Sequence, residues 1–168
     1  MVMLMKKFLG ISVLSIAVAV SLAQSPAAKP PDLNGVWRLN AAESDFGEVP
    51  PPEKQSEEIT QAGEEIAIAV SIERPETKQN YTLRFQTGGG ETPMRSFFPE
   101  GAPFRILSVR GEWKGAVLVL TERVEFQGTA GTLEARYQLA AGGKKLRKTT
   151  HVAMPGGSLD TTTVYDRE

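Results

Sequence analysis

The 168-residue chain contains no cysteine and a single histidine. Without cysteine there is no disulfide, no lipid-bearing N-terminal cysteine, and no zinc site of the Cys/His kind. Basic residues are not in excess: 19 Lys and Arg stand against 20 Asp and Glu, so no electrostatic footprint for nucleic acid exists. The acyl-transfer elbow G-x-S-x-G is missing. The glycine run at 88–90 lacks the Lys-Ser/Thr that would make it a phosphate loop, and reads as a hairpin end. Helical periodicity is also scarce, so the apolar residues must be organised on another repeat.

The one continuous apolar stretch lies at the start. Lys6 and Lys7 precede an apolar or small-residue run from Phe8 to Ala23, with Ser21 and Ala23 placed for signal-peptidase cleavage. Residues 1–23 therefore read as a signal peptide, giving a periplasmic or secreted protein without a stable membrane anchor. The run is too short and too rich in alanine and serine for a spanning helix. Residues 24–32, "QSPAAKPPD", form a Pro/Ala-rich spacer. Residues 33–168 are then a single domain, long enough to bury a core without staples.

Within that domain the period is two. Ile66, Ile68, Val70 and Ile72 alternate with Ala67, Ala69 and Ser71. Tyr81, Leu83 and Phe85 alternate with Thr82 and Arg84, and Leu133, Ala135, Tyr137 and Leu139 with Glu134, Arg136 and Gln138. Leu107, Val109 and Trp113 share a face in "RILSVRGEW". Glycine-bearing turns separate these runs at short, regular intervals, among them Ala62-Gly63, Lys114-Gly115, Gly128, Gly142-Gly143 and Gly156-Gly157. The pattern predicts an all-β antiparallel meander of eight to ten strands. Such a meander leaves no exposed edge if it closes into a barrel.

The opening of the domain, "NGVWRLNAAESDFG", carries a more specific signal. Gly35, Trp37, Leu39, Asn40, Ser44 and Phe46 match the pattern G-x-W-x-L-N-x-x-x-S-x-F. This stretch resembles the entrance to a lipocalin-like (calycin-type) barrel, and more closely the opening of small exported bacterial proteins with that architecture. The resemblance covers residues 33 to 46. It implies that Trp37 plugs the closed end, beside Gly35, and stacks under a basic residue of the last strand, for which Arg167 is available. A strand tryptophan under a guanidinium is also physically sound, since it buries a large apolar area and adds a cation–π contact.

No catalytic constellation emerges. His151 stands among Lys, Arg and Thr neighbours without a partner evident in the sequence. Glu57-Glu58 and Glu64-Glu65 are adjacent pairs whose members point to opposite faces of a strand, so they do not converge. Asp160 and Glu122 are the carboxylates a hydrolase reading would use, and nothing in their spacing pairs them. "KKLRK" at 144–148 places Lys145 and Arg147 on one face and Lys144, Leu146 and Lys148 on the other. It reads as charged decoration of an edge or rim, the alternative being an anion site at the barrel mouth.

The expectation is an exported lipocalin-like barrel, not an enzyme, without cofactor or metal, that binds a small apolar or amphiphilic ligand. Expected interior positions are Ile66, Ile68, Val70, Tyr81, Leu83, Phe85, Leu107, Val109, Tyr137 and Leu139. Ligand contacts are assigned to Phe85, Tyr81 and Tyr137, with Phe97 and Phe98 at the rim. The alternative is a filled barrel serving as an envelope interaction or inhibitor module.

Overall fold

The computed structural model describes residues 29–94 and 104–168. The expected signal peptide, most of the spacer, and Phe97 and Phe98 lie outside the described residues.

Ten strands follow one another: β1 (Gly35–Leu39), β2 (Lys54–Ala62), β3 (Glu65–Arg74), β4 (Thr77–Gln86), β5 (Thr92–Pro93), β6 (Phe104–Lys114), β7 (Val117–Phe126), β8 (Thr129–Ala140), β9 (Lys145–Met154) and β10 (Gly157–Arg167). They form one antiparallel sheet in the order β4-β3-β2-β1-β10-β9-β8-β7-β6-β5. Every neighbour in that order but one is also a neighbour in sequence. The exception is β1 with β10, where the first and last strands meet and bend the meander into a nearly closed barrel. The fold is all-β, with two single 3-10 turns as its helical content among the described residues.

Hairpin chemistry fixes the register. At the β7–β8 turn Gln127 and Gly128 both have positive φ, 47° and 80°. That is the conformation whose twist matches the flanking strands, so β7 and β8 pair without slippage from Phe126↔Thr129 to Leu118↔Tyr137.

The seam of the barrel lies between β4 and β6. Beyond the end of β4, Thr87 bridges Gly111 in parallel, and the amide of Gly88 donates to the Gly111 carbonyl at 3.1 Å. Gly111 must be glycine here. A Cβ would come within 2.2 Å of the Phe85 ring, which lies across the seam and fills it.

Alternation places Ile66, Ile68, Val70, Leu83, Phe85, Val109 and Tyr137 in the core, as their period of two indicates, with Leu139 partly buried against it. Leu107 is a correction. The β6–β7 register shifts between Ile106 and Ser108, and this bulge gives the buried positions to Ile106, Ser108 and Val109, leaving Leu107 half-exposed. Strict alternation cannot foresee an inserted residue.

Candidate functional site: the polar interior of the barrel

One end of the barrel is closed by apolar side chains. Trp37 and Leu33 are wholly buried, and the indole N–H donates to the Leu33 carbonyl at 2.9 Å. The short segment before β1 is thereby folded under the barrel floor. The Arg167 guanidinium lies 4.4 Å from the centre of the Trp37 ring and also donates to the Asp32 carbonyl at 3.1 Å. Gly35 stands beside this stack, its Cα side facing the Arg167 stem.

Above this floor the interior turns polar. Glu57 is opposite Trp37 in the sheet, so the two side chains share the inner face. Glu57 is 0 % exposed. Its Oε1 accepts from Lys148 Nζ at 2.8 Å and from the Tyr165 hydroxyl at 3.0 Å. The Tyr165 oxygen in turn accepts from Gln55 Nε2 at 2.7 Å. Lys148 Nζ stands 4.9 Å from the centre of the Tyr137 ring. Four strands, β2, β8, β9 and β10, thus converge on one buried ion pair. Burial alone would drive the Lys148 ammonium towards neutrality, but the Glu57 carboxylate, with Tyr165 and Tyr81 nearby, outweighs it and holds the ammonium well above its ordinary range.

A second carboxylate joins the cluster from β7. Glu122 shares its face with Leu133 and Val109 and is buried. Burial pushes its carboxyl up to about 7; Glu57 adds to the shift and Lys148 opposes it. Burial also raises the hydroxyls of Tyr137 and Tyr81, and the negative charges of Glu57 and Glu122 raise both further.

Glu57 Oε2 and the Tyr137 hydroxyl complete the cluster. Both are enclosed, and the hydroxyl faces the Glu57 carboxylate, whose charge and hydrogen bonding raise it further. Buried polar atoms are paired in the great majority of cases, and here the donor and the acceptor serve each other.

Towards the end of the barrel away from Trp37 the inner wall is apolar and only partly covered. Ile72, Tyr81, Leu133, Val152 and Leu159 are half-buried there. Their registers place them on the inner face: Val152 opposes both Leu133 and Leu159, and Tyr81 continues the row of Glu57 and Val70. A surface recess of about 360 Å³ beside the end of β1 includes Leu39 and Gln55 in its lining. Gln55 therefore links solvent to the Tyr165–Glu57 chain.

Of the residues expected from the sequence to touch a ligand, Phe85, Tyr81 and Tyr137 all face the interior, but they have different surroundings. Phe85 is occupied at the seam, whereas Tyr137 belongs to the polar cluster. The sequence does not mark Glu57, Lys148, Tyr165 or Gln55 as site residues, and it offers Glu122 only as a carboxylate for a hydrolase reading. Lys148 corrects the reading of "KKLRK" as surface decoration: together with Leu146 it points inward, while Lys145 pairs on the surface with Glu43 and Asp166. The signal was present in the alternation, since Lys148 shares a face with Leu146 and Glu57 with Ile59. His151 is an exposed partner of Asp160, at 2.7 Å, on the outer surface. Among the described residues no three His, Asp or Glu side chains are grouped to hold a metal ion. No helix of the described residues is long and apolar enough to cross a membrane.

A nearly closed antiparallel meander whose first strand carries a floor tryptophan defines a lipocalin-like, calycin-type barrel, and solved structures agree. A secretory abundant heat soluble protein from Ramazzottius varieornatus matches with a TM-score of 0.56 at 15 % identity, covering 81 % of this chain and 95 % of that one. Secretory abundant heat soluble protein 4 from the same organism matches at 0.51 and 14 % identity, over 80 % of this chain and 94 % of its own. Human cRBP IV matches at 0.50 and 18 % identity, over 83 % of this chain and 100 % of its own. No protein-family model and no curated protein sequence matches the chain.

Proposed function

We propose that this chain is an exported lipocalin-like barrel that binds a small amphiphilic ligand in its interior. The observation that carries the reading is the gradient along the barrel axis. Half-buried apolar residues line the end away from Trp37, and beneath them lies a polar cluster of Glu57, Lys148, Tyr137 and Tyr165. An apolar wall with a few convergent polar groups is the usual composition of a small-molecule site. The similarity to cRBP IV and to the heat soluble proteins supports the scaffold, and the ligand is argued from this chain's own side chains.

Titration with a panel of single-chain amphiphiles, followed by melting temperature and tryptophan fluorescence, tests the reading. A ligand at about 100 times its dissociation constant stabilises the folded state by ~2.7 kcal/mol, a readily measured shift. No shift across the panel would favour the filled-barrel alternative, an interaction or inhibitor module. Export rests on Lys6, Lys7 and the run from Phe8 to Ala23. Protein recovered from a secreting host should begin at Gln24 by intact mass, and retention of residues 1–23 would remove the compartment from the proposal.

A further inference from the structure

We propose that Glu57 and Lys148 condense to a side-chain amide, an isopeptide cross-link that spans the barrel interior from β2 to β9. The proposal is independent of whether the barrel carries a ligand.

Three observations lead to it. The first is enforced proximity. Lys148 Nζ lies 2.8 Å from Glu57 Oε1, with the Glu57 side chain 0 % and that of Lys148 15 % exposed. β1 and β10 separate the two strands in the sheet, so the contact crosses the interior instead of running along a ladder. An amine and a carboxyl group fixed in contact react as though at an effective concentration on the order of 10⁵ M or more. The surroundings favour the product. Val70 opposes Glu57, Leu146 shares the face of Lys148, and both are buried. In such an enclosure a neutral amide replaces two costly charges, and the water needed to reverse the reaction is excluded.

The second is the set of donors around the carboxyl group. The Tyr165 hydroxyl donates to Oε1 at 3.0 Å, and the Tyr137 hydroxyl faces the same carboxylate. Gln55 Nε2 donates to the Tyr165 oxygen at 2.7 Å, which polarises that hydroxyl further. Two fixed donors on one carboxyl group are what a tetrahedral oxyanion requires.

The ion pair is the resting state. Along the 2.8 Å contact one proton passes from Nζ to Oε1, giving a neutral amine and a carboxylic acid. The amine lone pair adds to Glu57 Cδ, forming the C–N bond and placing negative charge on Oε2, beside the Tyr137 hydroxyl. A second proton then passes from the nitrogen to Oε1. The Cδ–Oε1 bond breaks, the carbonyl re-forms at Oε2, and Oε1 leaves as water. One ammonium and one carboxylate become one amide and one water, without oxidant or cofactor. Because the product does not revert, a small neutral population suffices.

The third observation is what the bond would secure. The chain has no cysteine, and its first and last strands pair at three positions. An amide between residues 91 apart restrains the unfolded chain as a disulfide closing the same loop would.

Intact mass under denaturing conditions tests the proposal on the purified natural protein, kept folded at physiological temperature for several days. The protein should be lighter by one water than its sequence. Digestion should release a branched peptide that joins the segment containing Glu57 to the segment containing Lys148 through their side chains. Lys148→Arg keeps the positive charge but lacks a primary amine, and should show the full mass and two linear peptides. Tyr137→Phe keeps the ring and removes the donor at Oε2; it should lose water about a hundredfold more slowly, the usual effect of removing one oxyanion donor. Full mass in the natural protein, or water loss mapped to any other pair, overturns the cross-link and leaves the carrier reading untouched. Water loss in Tyr137→Phe as fast as in the natural protein overturns the role given to that hydroxyl.

Discussion

Glu122 is the residue whose ionisation the barrel opposes most clearly. Its carboxyl titrates near 7 in the folded protein, because burial disfavours the charged form and Glu57 repels it, with Lys148 only partly compensating. In the unfolded chain it titrates at the ordinary 4.5. Between those values the folded state holds the proton that the unfolded state has released. Stability must therefore fall as pH rises across that window, by ~3 kcal/mol from this group once both states are ionised. The groups that face it are Lys148, Glu57, Tyr81 and Tyr137; Lys148 and both tyrosines are held above their ordinary ranges and keep their charge between pH 5 and 8. Glu122→Gln keeps the shape and removes the titration. Urea midpoints at pH 5, 6, 7 and 8 should decline more steeply for the natural protein than for the variant. Parallel curves for the two would show that Glu122 is ionised throughout, and that the interior is wetter than its burial indicates.

At the scale of single elements, the sequence exposes some features and hides others for definite reasons. In β3 and β4 the alternation of Ile66, Ile68 and Val70, and of Leu83 and Phe85, identifies the inner face directly, because apolar and polar residues exchange without interruption. In β9 the same rule puts Leu146 and Lys148 on one face, yet a lysine is ordinarily a surface residue, and only its three-dimensional pairing with Glu57 makes burial tolerable. That pairing joins residues 91 positions apart, and no local pattern reports it. Glu57 is hidden for the complementary reason: it reads as one of two adjacent acids, and its inward orientation follows from sharing a face with Ile59. β6 fails differently. The bulge after Ile106 changes which face is inner in mid-strand, so Leu107 leaves the core and Val109 keeps its place. The seam glycine, Gly111, is equally silent in sequence, where it looks like a turn signal and not a space for the Phe85 ring. Period and turn chemistry thus give the meander, whereas the composition of the interior depends on contacts between strands distant in the chain.

For the whole molecule, closure depends on its two ends. The β1–β10 ladder has three paired positions, Trp37↔Arg167, Arg38↔Asp166 and Leu39↔Tyr165, against nine or ten in the long hairpins. The Asp45↔Thr162 bridge beyond the end of β1 prolongs this short ladder, and side chains add to the hold of the first strand on the last. Trp37 does so through the floor it forms with Leu33, and Arg167 by lying over its ring and holding the Asp32 carbonyl. Trp37→Ala should therefore cost ~3–5 kcal/mol, as removal of a large buried aromatic does. Arg167 is exposed, and Arg167→Ala should cost about 1 kcal/mol through the lost stacking and carbonyl contact. If the stack helps to fasten the ends, the two losses should not add: in a double-mutant cycle by urea unfolding the pair should couple by ~0.5–1 kcal/mol. Strict additivity would mean that the guanidinium contributes nothing to closure through the ring.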